Sequence, residues 1–288
     1  MSTCGGAAWV SVSGVDARQL WLRFEPYHDV TYFTPESRAA TDELGCKGGW
    51  MGYFGLRAAP LGAASPELVT AVFYNFAPRM VARALPDAWA VATPAEFLAA
   101  RLRGVDGALR RLLGDVGTAE IAEAASLARA AALAAPLAGR PLAAANRALP
   151  WPEEPHLALW HACTILREAR GDGHVAALVA HGVGPCQALA LYAHEHSLDP
   201  AYMRAARGWT EQEWEAVSDL PGDLAAVERA TDAAALGPWE ELGTAGTSRF
   251  VELMTPLALR IASANEAMRV NPMALDPVRE LAVPGWNT

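Results

Sequence analysis

Apolar residues recur at helical spacing along most of this chain. One apolar stripe runs through residues 97–113, and the arginines of that stretch fall largely off it. Residues 121–135 are dominated by alanine, which is typical of a helix that packs close to its neighbours. Strand-like alternation is best developed at residues 10–13, a stretch too short to anchor a sheet. The pattern therefore predicts an all-α fold.

Three short segments predict where helices begin. Thr34-Pro35-Glu36, Ser65-Pro66-Glu67 and Thr93-Pro94-Ala95-Glu96 each combine a hydroxyl residue, a proline and an acid. The hydroxyl accepts a hydrogen bond from a free backbone N–H, and the proline lacks an N–H where the first turn offers no partner. The acid lies near the positive end of the helix dipole. The third segment also completes a capping box through Glu96.

Proline also divides the chain. Leu149-Pro150-Trp151-Pro152 breaks the helical pattern, because proline disfavours the helical conformation of the residue before it. We therefore expect a multi-helix N-terminal domain over residues 1–150 and a second helical domain over 151–270. A proline-containing C-terminal tail over 271–288 is expected to wrap the surface.

The second half contains three short helical stretches that are separated by turns. They cover residues 187–194, residues 200–206 and a helix that opens with Thr210 as its cap. This spacing suits the trihelical core of a winged helix.

Further segments of the chain resemble one known family. They are Trp50-Met51-Gly52-Tyr53-Phe54, Arg57-Ala58-Ala59-Pro60-Leu61-Gly62, Phe73-Tyr74-Asn75-Phe76, Glu154-Pro155-His156-Leu157, Leu166-Arg167-Glu168 and Arg170-Gly171-Asp172-Gly173-His174. Over residues 20–260 the chain resembles an actinobacterial family labelled helix-turn-helix domain protein. The resemblance implies a β-hairpin wing after the third short helix. Here Leu220-Pro221-Gly222-Asp223 leads directly into the next helix, so we expect a winged-helix-like domain with a reduced or missing wing.

Charge disfavours nucleic acid as a partner. The chain carries a formal net charge of −9, and residues 209–220 contain four acids and no basic residue. A protein that binds DNA needs lysine and arginine along one face, because neutralising phosphates supplies most of its non-specific affinity. Arg204 and Arg207 precede the acidic helix, and two arginines are too few for such a face. Regulated DNA binding stays open as an alternative.

Missing motifs narrow the chemistry further. There is no GxGxxG, GxxxxGK[ST], HExxH or GxSxG motif, so we expect no dinucleotide or nucleotide cofactor and no metal. No apolar stretch reaches 18 residues, so no membrane span is expected, and the N-terminus lacks the pattern of a signal peptide. Four cysteines without CxxC spacing are typical of reduced thiols in the cytoplasm. Cys46 beside Lys47 is the best candidate for a reactive thiol, and a surface cysteine without a role is the alternative.

Polar groups concentrate in an apolar background over residues 153–181. His174 and His181 are two helical turns apart and so share a face. Asp172 is expected either to cap the helix that bears His174 or to orient its imidazole. An imidazole held by a carboxylate is a competent general base near neutral pH. A structural cluster of ion pairs at a helix end is the alternative.

Polar groups also accompany the aromatic residues of the first half. Tyr53 and Arg57 are four residues apart and would lie on one helical face. Rings with an arginine among them suit a planar or anionic ligand, although each ring taken alone also fits a place in the core.

These observations predict a small-molecule-binding protein whose pocket lies between the two halves. We expect an acid/base enzyme without a cofactor, catalysing a cyclisation, isomerisation or elimination in specialised-metabolite biosynthesis. Its catalytic groups would be His174, Asp172, Tyr53 and Arg57. The ligand-binding residues would be Tyr27, His28, Trp50, Tyr74, Asn75, His156, Arg167 and Glu168. A metabolite-sequestering or self-resistance protein and a ligand-responsive transcription regulator are the alternatives, and a homodimer is left open.

Overall fold

The computed structural model describes residues 11–12, 15–265, 267, 271, 273 and 275–281. These residues form helices linked by short turns, with one small antiparallel pairing of β1 (Ser11–Val12) and β2 (Val15–Asp16). The helices are α1 (Ala17–Asp29), α2 (Pro35–Glu43), α3 (Gly49–Ala58), α4 (Pro66–Phe73), α5 (Pro78–Val91), α6 (Pro94–Leu113), α7 (Ala119–Ala134), α8 (Pro141–Arg147), α9 (Pro155–Ala180), α10 (Pro185–Glu195), α11 (Pro200–Arg207), α12 (Glu211–Ser218), α13 (Leu224–Ala264) and α14 (Pro277–Leu281). A 3-10 turn, Ala59–Leu61, follows α3. The predicted all-α fold is confirmed.

The predicted helix starts are confirmed at atomic detail. The side chains of Thr34, Ser65 and Thr93 each accept a hydrogen bond from a backbone N–H in the first turn of α2, α4 and α6. Glu96 closes the capping box with Thr93, and Thr210 caps α12 in the same way.

The largest part of the core is built from α1, α6, α7, α9 and α13. The small side chains of α7 lie against α9 and α13, and fully buried Ala124 and Ala128 are among them. Trp160 of α9 is buried at its centre, where its indole Nε1 donates to the hydroxyl of Thr31 at 2.9 Å. This core draws residues from both sides of position 150, and the division of the chain near that position stays a prediction.

A second cluster holds α3 against α5 and α6. Phe54 and Phe97 are fully buried there. Gly55 lets α3 and α6 approach each other closely, because a Cβ at this position would overlap the ring of Phe97. This close approach fixes the face of α3 that carries Tyr53 and Arg57.

The helices α10, α11 and α12 form a compact trihelical unit around Met203 and Trp214, both of which are buried. Residues 219–223 connect α12 to α13 without a strand, which confirms the reduced wing. The unit packs on the first half of the chain. There Arg79 forms an ion pair with Glu213 at 2.6 Å, and the backbone N–H of Ala77 donates to the carbonyl of Arg207 at 2.9 Å.

Candidate functional site

A cavity of about 240 Å³ lies where α1, α3 and the α4–α5 turn face α9, α10, α11 and α13. Its walls combine aromatic rings with polar and charged side chains. The rings belong to Trp21, Tyr32, Phe33, Trp50, Tyr53, Phe73, Phe76 and Tyr192. The polar groups belong to Arg18, Asp29, Arg57, Asn75, Arg167, Arg170, His174, Arg207, Glu228 and Thr231. Both halves of the chain contribute to these walls.

Half of the twelve predicted site residues lie on this wall. They are Trp50, Tyr53, Arg57, Asn75, Arg167 and His174. The other six contribute no part of the wall, and they are Tyr27, His28, Tyr74, His156, Glu168 and Asp172.

Glu168 lies directly behind the wall, where it fixes two guanidinium groups. Its carboxylate accepts from Arg57 Nε at 3.0 Å and Nη2 at 2.9 Å, and from Arg167 Nη1 at 3.1 Å. Burial alone would raise the pKa of Glu168, but the positive charges of Arg57 and Arg167 hold it well below its ordinary value. Arg57 Nη1 also donates to the hydroxyl oxygen of Tyr53 at 3.2 Å, and its guanidinium lies 4.2 Å from the ring centre of Phe73. The orientation of Arg57 is therefore set on every side.

Three more guanidinium groups of the wall have carboxylate partners. Arg167 contacts Glu25 at 3.2 Å, Arg170 contacts Asp232 at 2.7 Å and Arg18 contacts Glu280 at 3.1 Å. Arg207 is different, since no carboxylate of the described residues lies within 4.0 Å of it. Its guanidinium lies over the ring of Phe76 at 4.7 Å, and burial lowers its pKa.

His174 has one ring nitrogen engaged and one available. Its Nδ1 lies 3.0 Å from the hydroxyl of Thr231, and that hydroxyl donates to the carbonyl of Val227 at 2.8 Å. Since the threonine proton is used there, its oxygen accepts from Nδ1–H, and this leaves a lone pair on Nε2. Burial, together with Arg170 and Arg167, lowers the pKa of His174 to about 4. The imidazole is therefore neutral at pH 7.

The predicted contact between Asp172 and His174 is wrong. Both residues lie inside the continuous helix α9, where positions two apart project about 200° from each other. The carboxylate of Asp172 accepts from the backbone N–H of Ala143 at 3.0 Å, in the first turn of α8. Burial raises the pKa of Asp172 to about 6. Asp172 therefore fixes α8, and it neither caps the helix of His174 nor orients the imidazole.

Three other predicted ligand contacts lie in the core. His156 Nε2 is 2.6 Å from Asp106 Oδ1, and the hydroxyl of Tyr27 donates to the carbonyl of His156 at 3.4 Å. His28 Nδ1 lies 3.1 Å from the hydroxyl of Thr164. All three side chains are at most 2% exposed. For Tyr27 and His28 this is the core placement that the sequence left open, and His156 is buried in an ion pair with Asp106.

A tight turn brings Asn75 to the cavity. Tyr74 has φ 55° and ψ −65°, and the N–H of Asn75 donates to the carbonyl of Phe73 at 2.7 Å, which together define a strained γ-turn. The hydroxyl of Tyr74 donates to the carbonyl of Val183 at 2.5 Å and holds the turn in place. Tyr74 thus positions its neighbours without lining the cavity. Such strain persists only where surrounding contacts impose it, so the turn is held rigidly at the cavity wall.

Sequence reasoning missed several residues of the wall. Asp29 is only 3% exposed, and burial and neighbouring Glu25 raise its pKa well above the ordinary value. The spacing of Glu25 and Asp29 on one helical face was a usable signal for it. Glu228 and Thr231 gave no local signal, because a long-range contact between α9 and α13 brings them to His174.

The candidate reactive thiol is not activated. Cys46 is buried, and burial together with Asp42 raises its pKa, opposite to the lowering expected from Lys47. Among the described residues, no group of three or more His, Cys, Asp or Glu side chains is arranged to hold a metal ion.

Comparison with known protein families matches residues 17–220 to the Helix-turn-helix family. The chain belongs to this family. Neither the curated proteins nor the solved structures gave a match. The helix-turn-helix part of the resemblance is confirmed, and the actinobacterial part is not tested by the match.

The match extends well beyond the trihelical unit of this helix-turn-helix family protein. It begins at the start of α1 and continues to residue 220, so most of the cavity wall lies inside the matched region. Helix α13, which supplies Glu228 and Thr231, lies outside it. Family membership is compatible with nucleic acid as a partner and does not support the expectation drawn from charge.

No single helix of the described chain is long and apolar enough to span a membrane, although α9 and α10 taken together reach that length and composition across a bend of 103°.

Proposed function

We propose that this helix-turn-helix family protein binds a small organic molecule with a planar ring in the cavity between its two halves. The observation that carries the proposal is the convergence of aromatic rings and fixed polar groups on one cavity. Ligand sites are typically concave and largely apolar, with a few polar groups that set orientation. The rings of Trp50, Tyr53 and Phe76 supply flat apolar faces of this kind.

The polar groups are held before any ligand arrives. Glu168 orients Arg57 and Arg167, and Thr231 orients His174. Binding then costs little ordering of side chains, which favours affinity.

A catalytic role is the finer form of this proposal. The lone pair on His174 Nε2 could accept a proton from a bound substrate, and Asp29 could return one from its carboxyl group. An acid/base cyclisation, isomerisation or elimination in specialised-metabolite biosynthesis, without a cofactor, would use these two groups with Tyr53 and Arg57. Because the pKa of His174 lies near 4, its basicity is modest at neutral pH, and binding is better supported than catalysis.

Native mass spectrometry of the purified protein, followed by identification of released small molecules, tests the binding proposal. Val175 lines the cavity, so Val175→Trp should fill it and remove the bound species. Val179 lies one turn further along α9 and is 62% exposed, so Val179→Trp is the matched control. Absence of any co-purified or added small molecule that discriminates these two variants would overturn the proposal.

The same preparation separates binding from catalysis. A sequestering or self-resistance protein should hold its ligand unchanged and tolerate His174→Ala. An enzyme should release a chemically altered product and lose turnover in that variant while still binding.

Transcription regulation is the second candidate, and the family match is the observation that favours it. Gel retardation with DNA flanking the gene should then show a complex that weakens as salt rises. The exposed acids of α12, Glu211 and Glu215, oppose contact with phosphates along this helix. Absence of retardation at low salt would remove this candidate.

A further inference from the structure

Arg207 is set apart from the other four guanidinium groups of the cavity by its charge balance. Arg18, Arg57, Arg167 and Arg170 each have a carboxylate within 3.2 Å. Within the described part of the chain, Arg207 has none within 4.0 Å. A charge that is removed from water without a partner is costly, so its retention at a cavity wall points to a partner that arrives from outside.

The hydrogen-bonding groups around Arg207 are also incompletely used. Its Nη1 donates to the carbonyl of Ala206 at 3.2 Å, and its Nε is enclosed without a partner. The side-chain oxygen of Asn75 is also enclosed without a partner among the described residues, but it is an acceptor, so it would pair with a donor and not with an anion. These two side chains line the same cavity, one from α11 and one from the γ-turn.

The geometry at Arg207 selects the shape of the missing group. The central carbon of the guanidinium lies 4.7 Å from the ring centre of Phe76, and Nε is enclosed, so a ligand would meet the group through its two Nη atoms. A planar fork of N–H donors matches the two oxygens of a carboxylate, and the ring faces of Trp50 and Tyr53 suit a planar body attached to it.

The charge count selects one negative charge. The four paired guanidinium groups are neutralised by carboxylates. Asp29 and Glu228 also line the wall, and burial raises the pKa of both carboxyl groups, which favours their neutral forms. The positive charge of Arg207 is then the one left unbalanced on the described wall, and it accommodates a monoanion. A phosphate dianion would need a second unbalanced cation, which the described wall does not offer.

We infer that Arg207 binds the carboxylate of a planar aromatic monocarboxylic acid, on the side of the cavity formed by α11. The inference rests on the proposed function and specifies its ligand class.

Isothermal titration of the full-length protein with matched probes tests this inference. The probes are 2-naphthoate, the uncharged 2-naphthamide and 2-naphthylphosphonate, which share one ring system. We expect 2-naphthoate to bind at least about tenfold more tightly than either of the others, since charged hydrogen bonds are stronger than neutral ones. Equal or tighter binding of the phosphonate or the amide would overturn the inference.

Variants at Arg207 give the second arm. Arg207→Gln should weaken 2-naphthoate by about 10- to 100-fold and leave 2-naphthamide unchanged. The affinity of Arg207→Lys for 2-naphthoate should lie between those of the wild type and Arg207→Gln, because lysine keeps the charge and loses the planar fork of donors. Arg204→Gln is the control on the same helix, since Arg204 pairs with Glu211 and does not line the cavity. Equal losses for both probes in Arg207→Gln would contradict the inference.

Thermal unfolding shows whether Arg207→Gln folds. Because the variant removes an unpaired, largely buried charge, its melting temperature should not fall below that of the native chain. A co-purified molecule without a carboxylate, or one whose affinity Arg207→Gln leaves unchanged, overturns the inference while the proposed function stands. If neither the probes nor any co-purified molecule binds, the proposed function fails as well.

Discussion

Trp209 Nε1 donates a hydrogen bond to the backbone carbonyl of Asn75 at 2.9 Å, and this bond joins the trihelical unit to the γ-turn of the first half. Together with the bond from Ala77 N–H to the carbonyl of Arg207, it clamps α11 against the turn. Asn75 and Arg207, each of which has an enclosed side-chain atom without a partner among the described residues, accept these two hydrogen bonds through their backbone carbonyls. The end of the cavity therefore depends on a contact between segments that are far apart in sequence.

Trp209→Phe should loosen this clamp. Loss of this part-buried hydrogen bond predicts a decrease of about 1 kcal/mol in the free energy of unfolding, measured with urea. Ligand affinity should fall as well. Trp89→Phe is the control, because Trp89 makes an equivalent bond to the carbonyl of Ala64 at 2.9 Å. A loss of affinity of the same size in both variants would argue against a role for the clamp.

Glu168→Gln should be among the most damaging substitutions. It leaves Arg57 without its carboxylate partner in a buried site, and breaking a buried ion pair from one side costs about 3–5 kcal/mol. The pKa of Glu168 is depressed by folding, so its contribution is complete above its ordinary value of 4.5 and is lost as pH falls through the lower folded pKa. Urea unfolding should show that the difference in unfolding free energy between wild type and variant is constant above pH 4.5 and shrinks as the pH falls below 4.5.

The imidazole of His174 should titrate near pH 4 in the folded protein, and an NMR titration of its ring protons would measure this midpoint. Its pKa is lowered from 6.5, so the folded state favours the neutral form. This contribution to stability is complete above pH 6.5 and is lost as pH falls towards 4. His174→Gln should flatten that part of the stability profile. A midpoint near 6.5 in the folded state would show that the imidazole is more exposed to water than the structure places it.

Gly55→Ala should destabilise the protein by about 1–3 kcal/mol, since the added methyl group overlaps the ring of Phe97. Gly107→Ala is the contrasting variant within α6. Its Cβ would meet only the flexible side chain of Glu36 at 3.3 Å, so the better helix propensity of alanine should raise stability by up to about 1 kcal/mol. Thermal melts of both variants check the pair, and equal effects would refute the steric explanation.

The helix starts and the shared face of one helix could be predicted because neighbouring residues in the sequence determine them. The caps at Thr34, Ser65 and Thr93 need only three or four neighbouring residues, and so does the shared face of Tyr53 and Arg57. The missing wing was visible in the few residues between α12 and α13.

The expectation that Asp172 caps the helix bearing His174 failed for a packing reason. A cap at this position requires a helix to begin there, yet α9 is continuous from Pro155 to Ala180. At Gly173 the missing side chain makes room for Arg140, whose Nη1 would lie 3.2 Å from an added Cβ. Glycine serves a close approach there, and this depends on a partner 33 positions away that no local pattern indicates.

The clamp on α11 also implies a reciprocal energetic linkage. A molecule that rests against Arg207 raises the free energy needed to draw α11 away from the γ-turn. Any macromolecule that draws the trihelical unit outward must in turn weaken that molecule's binding by the same factor. Occupancy of the cavity and availability of the helix-turn-helix surface would then both depend on one equilibrium, the docking of the trihelical unit on the γ-turn.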